Sequence, residues 1–150
     1  MDFTDKIYIN LLNSLKDRNY NFLTFQNYLT NDRLIHNKDN IPIIILRHDI
    51  DKSPTNALKI AKIEKNIGIR GTYYFRIVKD SYNYDIMNQI AGMGHEIGYH
   101  YEDIDLIVRE LGKSSRVLEL EQIIDMAYES FCKNLQYFKK DFPIKTISMH

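Results

Sequence analysis

Arg47-His48-Asp49-Ile50-Asp51 sets two carboxylates two residues apart behind an apolar run. On an extended chain that spacing turns Asp49 and Asp51 to one face and His48 and Ile50 to the other. Two close carboxylates at a buried strand end repel unless a cation or hydrogen-bond donors compensate, which suits one metal ligand beside one general base. A pair of solvated loop acids, with Asp51 supporting the next helix, satisfies the same string. A second polar end follows in HEIGYHY, residues 95–101, where Glu96 and Gly98 share the face of His100. His95 and His100 stand five positions apart and cannot both reach one ion from a regular strand. His100 is therefore the ligand candidate, although a satisfied core histidine fits it equally well when it is taken alone. His95 is expected to hydrogen-bond at the strand entrance. Glu102 has the parity of His100 and suits either a fourth ligand or an acceptor for the imidazole N–H. His150 closes a third such segment, and two carboxylates with two imidazoles suit a divalent ion such as zinc with a water position left open.

These groups need strands to carry them, because in parallel α/β folds functional side chains gather at the carboxyl ends of strands. Ile41 to Leu46 is almost wholly β-branched or leucine and predicts a strand buried on both faces. Gly71 to Val78, His95 to Tyr101 and Ile144 to His150 predict three more. Between them lie a helix capped by Ser53, entered by Pro54 and closed by Gly68, one from Tyr84 to Met93 stopped by Gly94, and one from Ser115 to Lys140. An amphipathic helix carrying Phe3, Ile7, Leu11, Leu12 and Leu15 opens the chain behind Thr4. Phe22 to Leu29 is open between helix and strand, and Asn31 to Asn40 reads as a loop. Strands alternating with helices imply βαβ units and a largely parallel sheet.

Composition narrows the classes. The 150 residues carry 20 basic and 20 acidic side chains, which removes the broad positive field of a non-specific nucleic-acid binder. The single Cys132 cannot form an internal disulfide and reads as a small buried hydrophobe. Acids at the N-terminus and the lack of an apolar run near the ~18 residues of a membrane span predict a cytoplasmic protein. Tyr128, Phe131, Tyr137 and Phe138 are expected in the core, Lys59, Lys62 and Lys65 on a solvated face, and His36 suggests no role. The length falls below the roughly 250 residues of a complete eight-strand barrel.

The strings ILRHDID, GTYYF and GMGHEIGYHYED resemble the polysaccharide deacetylases of the NodB type, carbohydrate esterase family 4, in their shorter form with a DxD first motif. The similarity runs from Ile41 to His150. It implies an α/β fold of parallel βα units forming part of a distorted (β/α) barrel. Residues 1–40 would be a helical extension and residues 41–150 a core that lacks the later part of the family domain. The resemblance further implies Asp49 as general base, Asp51 and His100 as metal ligands, and His150, in an SMH string, as a candidate ligand. The family's next histidine falls at Ile104, so Glu102 or His150 would have to replace it. The implied activity is metal-dependent removal of N-acetyl groups from a sugar or glycan. Two other readings remain: a binding or assembly module that keeps the scaffold without turnover, and a phosphatase of the haloacid dehalogenase type, whose DxDx[TS] start resembles Asp49 to Ser53. An unpaired sheet edge would permit self-association.

Overall fold

A computed structural model of the chain describes residues 4–31, 42–112 and 118–150. The opening helix is α1 (Asp5–Asp17), and Thr4 Oγ1 accepts the amide of Ile7 at its start. The open stretch resolves into β1 (Asn21–Leu23) and the short α2 (Phe25–Leu29), capped by Thr24. The N-terminal part is therefore more than a helical extension, because β1 pairs in parallel with β2 (Ile43–Ile45). His36, nearly all of the expected loop and the start of the helix placed at Ser115 lie outside the described residues.

The first apolar strand runs further than its composition suggests. The Leu46 carbonyl accepts the Thr72 amide, and the chain continues as β3 (Arg47–Ile50). The run is only half-buried over Ile43–Ile45, against the expectation of burial on both faces. Because β3 pairs with β4 (Thr72–Phe75), Asp49 stands within a strand and only Asp51 emerges beyond its end. Ser53 occupies the N-cap position of α3 (Pro54–Ile67) at φ 57°, a left-handed conformation in which its side chain makes no cap bond. Gly68, at φ 81°, closes that helix as expected. β4 is shorter than the predicted strand because the Arg76 amide turns to Ser81 Oγ. After it come α4 (Tyr84–Gly92), β5 (Glu96–Tyr101), α5 (Asp103–Leu111), α6 (Leu120–Lys139) and β6 (Ile147–Met149).

Each strand from β3 to β6 pairs in parallel with the next in sequence. With right-handed crossovers and no reversal of strand order, the helices gather on one face and the sheet curls into a half-barrel. Alternation along the strands then separates two chemistries. Ile50, Tyr73, Phe75, Ile97 and Tyr99 join α3, α4 and α6 in the main core through Ala57, Ala61, Ile90 and Phe138. The other face is polar and carries Arg47, Asp49, Thr72, Tyr74, Glu96 and His100. Gly98 is required there, since a Cβ on it would overlap the Tyr74 ring. The Tyr74 hydroxyl donates to Thr146 Oγ1 at 2.9 Å, and Thr146 in turn donates to Glu96.

The helix-facing side carries buried polar clusters as well. In one, Asp103 accepts from Tyr99 Oη, Ser130 Oγ and Asn134 Nδ2; a second centres on Glu64. Glu64 of α3 is fully buried and accepts from Tyr8 Oη at 2.5 Å, His48 Nε2 at 2.7 Å and Tyr73 Oη at 2.8 Å. Burial pushes this carboxyl up, but the hydrogen bond and charge of His48, with the two phenols, outweigh it and hold Glu64 below the usual carboxylate range. The need to bring Tyr8 to Glu64 orients α1, so Tyr8 and Leu12 are buried while Ile7 and Leu11 of the expected stripe stay about half exposed. His95 sits at the entrance of β5 as expected. Its Nδ1 accepts from the Gly71 amide, so its Nε2 donates to the Ala61 carbonyl, both at 3.0 Å. Burial pulls the His95 pKa down.

Two expected core positions differ. Tyr128 is 67% exposed and Tyr137 46%, because α6 packs through Ala127, Phe131 and Phe138 and turns both tyrosines outward. Cys132, beside that packed line, is half-buried. Among the described residues, no helix is long and apolar enough to cross a membrane.

Candidate metal centre

Three segments far apart in sequence converge above the carboxyl ends of the strands. Asp51 leaves β3 in the turn leading to Pro54, His100 lies near the end of β5, and His150 follows β6, its amide donating to the Tyr101 carbonyl at 2.9 Å. Asp51 Oδ1 stands 3.2 Å from His150 Nε2 and 3.6 Å from His100 Nε2. One ligand atom from each residue lies within 4.8 Å of the others. Metal bonds of 2.0–2.1 Å in a tetrahedron set ligand atoms about 3.3–3.4 Å apart, and the two measured separations straddle that value. An octahedral arrangement with the same bonds sets adjacent ligand atoms about 2.8–3.0 Å apart, a poorer match.

The His100 ring is held in the sense that ligation needs. His100 is buried, and its Nδ1 donates to the Ser148 carbonyl at 3.2 Å, which leaves the Nε2 lone pair of the neutral ring facing Asp51. The His100 and His150 rings meet edge to face with centroids 5.1 Å apart. Beneath them Arg76 grips the buried Glu102 carboxylate through two nitrogens at 2.5–2.8 Å and donates to the Asp51 carbonyl at 3.2 Å. Glu102 thus has a cation of its own, and its Oε2 stands 3.8 Å from His150 Nδ1. A second grouping of Glu102, Asp105 and His150 also brings ligand atoms within 4.8 Å of one another.

Asp49 stands apart from these ligands, one step down the same face. Both of its oxygens accept from Arg47, from Nε at 2.8 Å and from Nη2 at 2.7 Å. Arg47 also donates to Ser148 Oγ at 2.5 Å and lies over the Tyr74 ring. The carboxylate raises the Arg47 pKa, chiefly through these hydrogen bonds. Ile104 is exposed on α5 and offers no ligand atom.

The sequence reading brought Asp51, His100 and His150 forward, and the structure brings them together. It overlooked Arg47, Arg76 and the helix α5. The signal for α5 was present: Ile104, Ile107, Val108 and Leu111 follow helical spacing, closed by Gly112. Nothing in the sequence separates the two arginines from ordinary surface charges. No protein-family model, curated protein or solved structure matches this chain.

Proposed function

We propose that this chain is a metal-dependent hydrolase resembling the NodB-type polysaccharide deacetylases, removing N-acetyl groups from an amino sugar or glycan. The observation that carries the reading is the convergence of Asp51, His100 and His150, with Asp51 Oδ1 3.2 Å and 3.6 Å from the two imidazole nitrogens. Zinc suits this donor set of one carboxylate and two imidazoles. Such an ion supplies Lewis-acid polarisation of an amide carbonyl and lowers the pKa of water.

The remaining work falls to the protein's side chains. Asp49 lies on the same face as the trio and is the base that accepts a proton as water adds to the carbonyl. Arg47 fixes the orientation of that carboxylate through two bonds and ties it to Ser148, whose carbonyl orients His100. Arg76 holds Glu102 and the Asp51 backbone, so the ligand positions are set before substrate arrives.

The Arg47 grip on both oxygens of Asp49 favours a second reading, a module that keeps metal and scaffold to bind glycan without turnover. The phosphatase reading accounts for neither imidazole. Zinc content of reloaded protein, set beside Asp51→Ala and His100→Ala, tests the site. One zinc per chain that falls well below stoichiometric in both variants is expected; full retention in both removes the assignment. Acetate release from N-acetylglucosamine oligomers by the zinc-loaded protein separates hydrolase from binding module.

A further inference from the structure

A cavity of about 480 Å³ opens beside the metal centre, between α5, α6 and β6. Its walls are Ile104 on α5, Ile124, Ala127 and Phe131 on α6, and Ile147 and Met149 on β6. Glu102, Asp105 and His150 come together at one end, where Glu102 and His150 line both the groove and the surroundings of the candidate ion; Asp103 and Tyr128 also line it. The volume lies within the range of small-molecule pockets, and an apolar cleft with few convergent polar groups is their usual form. On the other side of the trio stand Arg47, Asp49 and Ser148. The candidate centre therefore separates a polar surface from an apolar groove that begins at a ligand.

We propose that the groove receives the acyl chain of an N-acylated amino sugar, and that the preferred acyl group is much longer than acetyl. The proposal rests on the hydrolase reading of the trio and specifies its substrate. An amide carbonyl placed at the centre sends its acyl carbons past His150 into the groove, while the hydrophilic sugar on the nitrogen side meets the Arg47 and Asp49 surface. A single methyl would leave nearly all of the cavity unfilled. A medium-length chain covers Ile104, Ile124 and Met149, which are otherwise exposed. In the reaction the amide C–N bond breaks and the water oxygen bonds the carbonyl carbon. One water proton passes to the nitrogen, giving a carboxylic acid and a free amino sugar.

The test compares N-octanoylglucosamine with N-acetylglucosamine, by calorimetric binding to the zinc-loaded protein and by release of free amine. At least tenfold tighter binding of the octanoyl compound is expected. Ile124→Asp and Ile104→Asp alter exposed positions, so folding is retained; each should abolish the preference while leaving the stoichiometric zinc in place. Equal affinity for the two sugars, no measurable binding of either, or a preference that survives both substitutions overturns the proposal. A preference that both substitutions remove, without amine release from either sugar, upholds the acyl groove and overturns the hydrolase reading.

Discussion

Replacing Glu64 by leucine removes the acceptor from three buried or half-buried donors at once: the phenols of Tyr8 and Tyr73 and Nε2 of His48. The new side chain is similar in length and offers no acceptor of its own. Stranding a buried donor costs about 1–3 kcal/mol, so three give about 5 kcal/mol when the two phenols are taken at the middle of that range and the partly exposed His48 at its lower end. The apolar area that leucine buries offsets about 2 kcal/mol. A net loss of about 3 kcal/mol follows, a large share of the roughly 5–15 kcal/mol that holds a domain together. In a chain of 150 residues this lowers Tm by about 6–12 °C. Urea unfolding followed by circular dichroism measures the loss directly. Adding Tyr8→Phe and Tyr73→Phe removes two of the stranded hydroxyls and should recover about half of it, with neighbouring effects that do not simply sum. A Glu64→Leu protein within about 1 kcal/mol of the parent would refute the account of this cluster as one cooperating network.

Three further outcomes follow from the same contacts. Stability should fall in acid in two stages, because His95 and Glu64 both have folded pKa values below their unfolded ones and the unfolded chain therefore binds more protons. Loss begins below about pH 6.5 from His95 and deepens below about pH 4.3 from Glu64; urea midpoints between pH 8 and 3 record it, and His95→Gln should erase the first stage. Gly98→Ala drives a methyl into the Tyr74 ring and should cost about 1–3 kcal/mol. Its coupling to Tyr74→Leu in a double-mutant cycle should be clearly non-additive. Arg76→Met strands the Glu102 carboxylate and should cost about 3–5 kcal/mol, most of it regained with Glu102→Leu in the same chain. The single variant should also bind zinc about 10- to 100-fold more weakly in a chelator competition, since Arg76 anchors the Asp51 carbonyl.

Much of the fold and of the site is legible in local pattern. Alternation in HEIGYHY set His100 apart from His95, and the rule that function gathers at strand ends brought Asp49, Asp51 and His150 forward together. Gly68 and Gly94 marked helix ends, and the apolar runs marked the sheet. Strand parity and helix termination are legible in this way because they are decided by residues next to one another in the chain. Where local cues were overread, packing corrected them: the need of Tyr8 to reach Glu64 set the rotation of α1, and pairing with β4 drew Asp49 into the strand.

Long-range partnership was decided only in three dimensions. Glu64 falls on the same stripe of α3 as Ala57 and Ala61, a visible anomaly, yet its acceptor role depends on Tyr8, 56 positions away. Arg76 meets Glu102 across 26 positions, and Arg47 meets Ser148 across 101. The apolar groove exists only where α5, α6 and β6 come together beside His150. The sequence by itself determined which groups share a strand face, because a strand's parity is local. Which charges are neutralised, which carboxylate is free to face two imidazoles and what shape adjoins them were left to the tertiary structure, because hydrogen bonding and exclusion of water depend on distances between segments that only folding establishes.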